Sequence, residues 1–250
     1  MITMIWRSHT YFRVCRLLCA TLALLLAGRA WASNVSGRVQ LEFSKDPNVR
    51  KHMDYSGVVV WLEPLSTPFL LPTKMPHAEM IQKGKTFSPH VLAITLGTIV
   101  NFPNYDPIFH NAFSNYDGQI FDIGLYPPGT TRAIAFRREG VVRVFCNIHP
   151  TMSAVIVVLK SPYFSVSDPH GSFQIANVPP GSYRIHVFHE RATEQTLDAL
   201  THSIEIADEQ VQLPPISVSE SGYLQLPHTN KYGKDYPPAS DALGYSGSKP

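Results

Sequence analysis

From residue 80 to residue 160 the chain repeats with a period of two and never with a period of 3.6. Leu92, Ile94 and Leu96 alternate before Gly97, Val100 and Phe102 alternate before the break at 103–107, and Val142, Val144 and Cys146 share one parity after Glu139-Gly140. Apolar residues at every second position belong on one face of a half-buried strand, and the Gly and Pro clusters between runs turn the chain. In Tyr126-Pro127-Pro128-Gly129 a fixed negative φ is followed by a residue free to take a positive one, as a type II turn requires. No helix longer than a turn or two fits this stretch. The fold class is all-β.

Both flanks carry the same pattern. Val35, Val39 and Leu41 alternate, whereas Gly57–Leu62 is a continuous β-branched run, as in a strand covered on both sides; a charged loop with Pro47 and Asp54 separates them. Ala154–Leu159 is a second run of this buried kind. Asp168-Pro169-His170-Gly171 fits a type I turn. Phe173 and Ile175 alternate up to Val178, and after Pro179-Pro180-Gly181 the residues Tyr183, Ile185 and Val187 alternate again, so the pair is predicted to be a hairpin. Beyond residue 219 the chain turns to Ser, Gly, Pro, Lys and Tyr, and 220–250 is predicted to be a disordered tail.

The first 32 residues have the composition of an export signal: Arg7, Arg13 and Arg16, an apolar run from Leu17 to Ala27, and Ala30-Trp31-Ala32 before Ser33. The apolar run is short for a bilayer span, so the mature form is expected to be periplasmic and without a membrane span. Removing the leader takes away four arginines and no acids, moving the net charge from +2 (21 basic, 19 acidic) to −2 (17 basic, 19 acidic). A chain of that charge gives no reason to expect nucleic-acid binding. The leader also carries Cys15 and Cys19, which leaves Cys146 unpaired in an oxidising compartment. Coordination by a metal is one way to protect such a thiol.

Cys146, His149 and Met152 lie three apart in CNIHPTM, and His110 lies 36 residues upstream on another strand. One thiolate, two imidazoles and a weak thioether suit copper in a trigonal His₂Cys site with a long axial Met. Zinc accepts Cys and His, but a thioether is a poor fourth ligand for it. A Cys146–His149 nucleophile pair has no evident orienting acid or oxyanion site. Singly, a strand cysteine or a methionine is a packing residue. His90, on the strand before the site, is a possible additional ligand. His186 and His189, three apart in a strand, face opposite ways. His77 and His170 fall in loops, and Tyr105, Phe109 and Tyr116 are candidates for an apolar rim.

The line from Gly97 through Val100-Asn101-Phe102, Asn104 and Asp106 to His110-Asn111, with Gly140–Val158 containing FCNIHPTM, resembles the cupredoxins, the blue-copper family of plastocyanin, pseudoazurin and amicyanin. The resemblance implies a Greek-key sandwich, a copper cofactor and a one-electron carrier with a redox partner protein. It makes His110, Cys146 and His149 the equatorial ligands, Met152 the axial one and Asn111 a bridge between the two ligand loops. Asn147-Ile148 departs from the family's usual Thr-Pro between Cys and His. Asp168, Gly171, Phe173, Ile175, Val178-Pro179-Pro180-Gly181, Tyr183, Ile185 and Val187 resemble the carboxypeptidase regulatory-like (transthyretin-like) sandwich.

The expected organisation is a signal peptide over 1–32 and N-terminal strands of the regulatory-like sandwich over 33–66. A connector follows over 67–79, then the cupredoxin domain over 80–160, the rest of the second small β-sandwich over 161–219 and the tail over 220–250. If the 57–63 strand instead belonged to the cupredoxin, it would pair in the sheet of Ala154–Leu159. The expected function is electron carriage without substrate chemistry. The other reading is a copper-holding or scaffold protein whose second sandwich binds a protein or glycan.

Overall fold

The computed structural model describes residues 32–66, 75–115, 118–207, 210–223 and 228–236. The leader up to residue 31, most of the 67–79 connector and Tyr116 lie outside the described residues. The N-terminal flank contributes strands β1 (Ser33–Glu42) and β2 (Val59–Pro64). The centre contributes β3 (His77–Glu79), β4 (Ile81–Lys83), β5 (Thr86–Ser88), β6 (Val91–Thr95), β7 (Ile99–Pro103), β8 (Phe113–Ser114), β9 (Phe121–Asp122), β10 (Thr131–Ala135), β11 (Gly140–Phe145) and β12 (Ser153–Leu159). The C-terminal flank adds β13 (Phe164–Val166), β14 (Ser172–Val178), β15 (Gly181–Phe188), β16 (His202–Ile206), β17 (Gln210–Gln212) and β18 (Ile216–Ser219).

Two short helices were not foreseen. Helix α1 (Pro47–His52) occupies the charged loop, with the Asp46 carboxylate accepting from the Asn48 amide at 2.7 Å and Pro47 in the first turn. Helix α2 (Glu194–Leu200) starts at Thr193, whose hydroxyl accepts from the Thr196 amide at 3.2 Å. Each begins on a polar side chain that satisfies an otherwise unbonded helical N–H.

The flanks pair with each other. β1 runs antiparallel to β14 and parallel to β17 and β18, while β2 lies between β13 and β15, with β16 at the edge. Val60 and Leu62 therefore sit opposite Val187 and Ile185, not in the sheet of Ala154–Leu159. The 179–181 turn is not a hairpin: β14 and β15 belong to different sheets, and Pro179-Pro180 carries the chain from one layer to the other. Two residues without amide hydrogens suit a crossover where no ladder bond is made. The type I turn at 168–171 is present, with the Gly171 amide donating to the Asp168 carbonyl at 2.9 Å. Gly171 has φ +77°, and a Cβ there would meet the Val39 carbonyl oxygen at 2.2 Å, so only glycine fits.

The central strands make a second sandwich, with the sheet β10-β7-β3 facing the sheet β6-β12-β11-β8-β9. β3 pairs with β7, so this unit begins inside the stretch expected to be connector, and His77 is an exposed strand residue instead of a loop one. The two continuous apolar runs explain how the sandwiches join. In β12, Ala154, Ile156 and Val158 enter the central core, and Val155, Val157 and Leu159 point the other way. In β2, Val60 and Leu62 enter the flank core and Val59 points away, into the same junction as Val155 and Val157. Each such buried aliphatic side chain contributes roughly 1.5–3 kcal/mol, which explains why neither strand alternates.

Candidate metal centre

His110 is fixed at both its backbone and its ring. Its amide donates to the Tyr126 carbonyl at 3.2 Å and its carbonyl accepts from the Tyr126 amide at 2.9 Å. The imidazole is fully buried, and its Nε2 lies 2.8 Å from Asp106 Oδ2. Because a carboxylate only accepts, Nε2–H donates to it, which turns Nδ1 away from Asp106 and toward Cys146. Asp106 is itself held by the amides of Gly84 at 2.6 Å and Lys85 at 2.8 Å.

Cys146 follows β11 directly, and the parity of Val142 and Val144 carries its side chain into the core, fully buried. The loop after it closes tightly: the Cys146 amide donates to the Met152 carbonyl at 3.1 Å and the Met152 amide to the His149 carbonyl at 3.0 Å. His149 is half-buried, and Met152 is buried in the same core cluster as the cysteine. Asn111 joins the two loops, its Oδ1 accepting from the Asn147 amide at 2.6 Å.

These elements bring three donors together. Cys146 Sγ is 3.8 Å from His110 Nδ1 and 3.6 Å from His149 Nδ1, and the ligand atoms of the three residues all lie within 4.8 Å of one another. Bonds of about 2.0–2.3 Å meeting at about 110–120° span about 3.6–3.8 Å between their outer atoms, which both sulfur–nitrogen separations match. The donor set is that of a copper centre.

No family model matches the chain. Over 85 residues it is 32% identical to the methylamine utilization protein MauL of Methylorubrum extorquens, a match covering 34% of this chain and 75% of MauL. The chain belongs to the MauL family. Among solved structures, the purple cupredoxin of Nitrosopumilus maritimus aligns over 33% of this MauL-family chain and 99% of its own, at 26% identity and a TM-score of 0.31. The Cu-containing nitrite reductase of Thermus scotoductus aligns over 49% and 28%, at 23% identity and a TM-score of 0.33. A reduced Cu(I) amicyanin variant aligns over 40% and 98%, at 16% identity and a TM-score of 0.31. Two facing sheets with His110 on one inter-strand loop and Cys146, His149 and Met152 on another make the central unit cupredoxin-like.

Electrostatics in this MauL-family protein suit a metal better than nucleophilic chemistry. Burial pushes the Cys146 thiol up, against the opposing pull of the Asn111, Ile148 and His149 amides, so the free thiol is no ready nucleophile. Burial, aided by the nearby His110 and Lys85, lowers His149 to about 4, which keeps its imidazole neutral and able to donate a lone pair. Burial works against ionisation of Asp106, but the Lys85 amide, His110 and the Gly84 amide outweigh it and hold the carboxyl below its usual range.

His90 does not join the cluster. Its Nε2 lies 2.7 Å from Glu190 and its Nδ1 3.1 Å from the Ser153 carbonyl, so both nitrogens are engaged at the junction with the flank sandwich. His186 stacks on Trp61 at 4.9 Å and meets Glu63, whereas His189 meets Glu220. Tyr105, Phe109 and Ile148 are exposed on the two ligand loops.

Sequence reasoning missed two features. Asp106 entered only as part of the resemblance, although its place four residues before His110 was the available signal. The supposed tail was the larger omission: residues 228–236 pack on the ligand loop, with His228 stacked on Phe145 at 4.1 Å. Only 224–227 and 237–250 of that segment lie outside the described residues. Among the described residues no helix is long and apolar enough to cross a membrane.

Proposed function

We propose that this protein is an exported, periplasmic type 1 copper protein that carries single electrons to or from a redox partner protein and performs no substrate chemistry. The observation that carries the reading is the approach of two imidazole Nδ1 atoms, at 3.6 and 3.8 Å, to one buried sulfur. His110, Cys146 and His149 would hold the ion, with Met152 as a weak axial donor. Bound copper would supply the Cu²⁺/Cu⁺ couple. Asp106 holds the His110 ring with Nδ1 turned inward, and Asn111 keeps the two loops in register. Such preset geometry limits the rearrangement that accompanies a change of charge. The half-buried ring of His149, next to exposed Ile148, is the route for an electron to a docked partner.

Residues 33–66 and 161–219 would form the carboxypeptidase regulatory-like sandwich attached to this centre. A second reading rests on the presence of the flank sandwich beside the central one: a copper-holding scaffold whose flank sandwich binds a protein or glycan. The test is to load the mature protein with Cu²⁺ and follow its visible absorption through cycles of reduction and reoxidation. An intense thiolate-to-copper band that bleaches and returns, with rapid electron self-exchange, is expected of the carrier. Slow exchange with ready copper loss supports the scaffold, and a colourless metal-bound form overturns the carrier.

A further inference from the structure

Residues 228–236 form a small self-supporting turn. The Asn230 amide donates to the Lys234 carbonyl at 2.8 Å, the Gly233 amide to the Asn230 carbonyl at 2.9 Å, and Asn230 Oδ1 accepts from the Tyr232 and Lys234 amides at 2.9 and 3.2 Å. A segment organised by its own bonds loses little further freedom when it docks.

It docks on the loop that carries the donors and touches that loop at successive points. The Tyr236 hydroxyl donates to the Cys146 carbonyl at 2.9 Å. The Lys231 amide donates to Asn147 Oδ1 at 3.0 Å, and His228 Nε2 lies 2.7 Å from the Pro150 carbonyl, to which its N–H donates. The His228 ring lies between Phe145, stacked at 4.1 Å, and the edge-on ring of Tyr236 at 5.2 Å. A second path reaches the other ligand loop. Lys231 Nζ meets Asp122 Oδ2 at 2.7 Å, while Asp122 Oδ1 accepts from Asn111 Nδ2 at 3.4 Å. Asn111 in turn binds the Asn147 amide. The segment thus completes a ring of contacts: Lys231, Asp122, Asn111, Asn147 and back to Lys231.

The geometry points to His228, Lys231 and Tyr236 as positioning residues, a C-terminal clamp that holds the Cys146–Met152 loop in its metal-binding shape and slows the escape of the ion. Carbonyls 146 and 150 and the side chain of residue 147 flank His149 and Cys146, so lifting the clamp frees the loop without disturbing either sandwich core. The copper-retention half of this inference rests on the proposed copper site; the loop-holding half does not.

Hydrogen exchange of the metal-free full chain, resolved to single amides, tests the loop-holding half. Each net hydrogen bond lost shifts a local opening equilibrium about fivefold. In the His228→Ala, Lys231→Ala, Tyr236→Phe triple variant the Cys146, Asn147 and Met152 amides are expected to exchange about tenfold faster or more, with amides of the β1–β14 ladder unchanged. Equal rates in the ligand loop overturn the clamp. If the triple variant does not fold, Tyr236→Phe alone decides: about fivefold faster exchange at Cys146 and Asn147 supports it and no change overturns it. With copper bound, the triple variant is expected to yield the metal to a chelator about tenfold faster than the unaltered chain, and an equal rate overturns the retention role. An unaltered chain that takes up no copper removes the copper reading and leaves the exchange result to judge the clamp.

Discussion

Each sandwich contains a buried histidine whose Nε2 meets a carboxylate, yet only one of the two has donors around its other nitrogen. His110 in the central sandwich and His189 in the flank sandwich are 0% and 2% exposed. Nε2 lies 2.8 Å from Asp106 in the first and 2.9 Å from Glu220 in the second. They differ at Nδ1. In His110 it faces Cys146 Sγ at 3.8 Å with the His149 ring alongside, whereas Nδ1 of His189 is buried without a hydrogen-bond partner. Glu220 is also bound by Ser44 at 2.8 Å and Arg191 at 3.0 Å, so the flank pair is part of a locked polar network. A buried His–carboxylate pair is therefore a structural unit in both places. What sets the central one apart is a second strand end, β11, whose parity delivers a sulfur to its other nitrogen.

The largest expected effect separates the two sites outright. Cys146→Ser abolishes the intense visible band of the copper-loaded protein, while His189→Ala leaves it intact; visible spectra of both variants check this. Next, Asp106→Ala removes the acceptor that fixes the His110 ring and is expected to weaken copper binding about 10–100-fold, the usual cost of losing such a partner, measured by competition with a chelator. The third effect concerns stability. His189→Ala leaves Glu220 with one partner fewer in a dry setting and is expected to cost about 2–3 kcal/mol in denaturant unfolding with copper affinity unchanged. A copper affinity that falls with it would break the distinction between the two histidines.

The smallest effect is at the junction. The hydrogen bond that His90 donates to the Glu190 carboxylate raises the histidine above its ordinary value, against the cost of burial. A raised histidine stabilises the fold below its unfolded value of about 6.5, and that stabilisation is lost as pH rises through the folded value. The unfolding free-energy gap between the unaltered protein and His90→Gln should thus be larger at pH 5.5 than at pH 8.5, with the copper spectrum the same in both.

Some of this was legible in the chain and some was not, for physical reasons. Period-two alternation marks a strand face wherever one side is buried, which is why Val142, Val144 and Cys146 announced the direction of the thiol. The unbroken runs in β2 and β12 announced burial on both faces without saying what covered the second one. Turn chemistry was readable where glycine is sterically required, as at Gly171. It misled at Pro179-Pro180, because a turn signal does not say whether the strands it joins share a sheet. His90 could not be placed because its partner, Glu190, lies 100 residues away. The clamp was invisible because a segment poor in aliphatic residues resembles a disordered one, and its contacts are ring stacking and single hydrogen bonds, which leave no period in the sequence.

The most direct test of the central claim is X-ray absorption at the copper edge of the reconstituted, full-length mature protein. One short copper–sulfur path together with two imidazole paths is expected, the sulfur path disappearing in Cys146→Ser. A coordination shell of nitrogen and oxygen alone in the unaltered protein would contradict it.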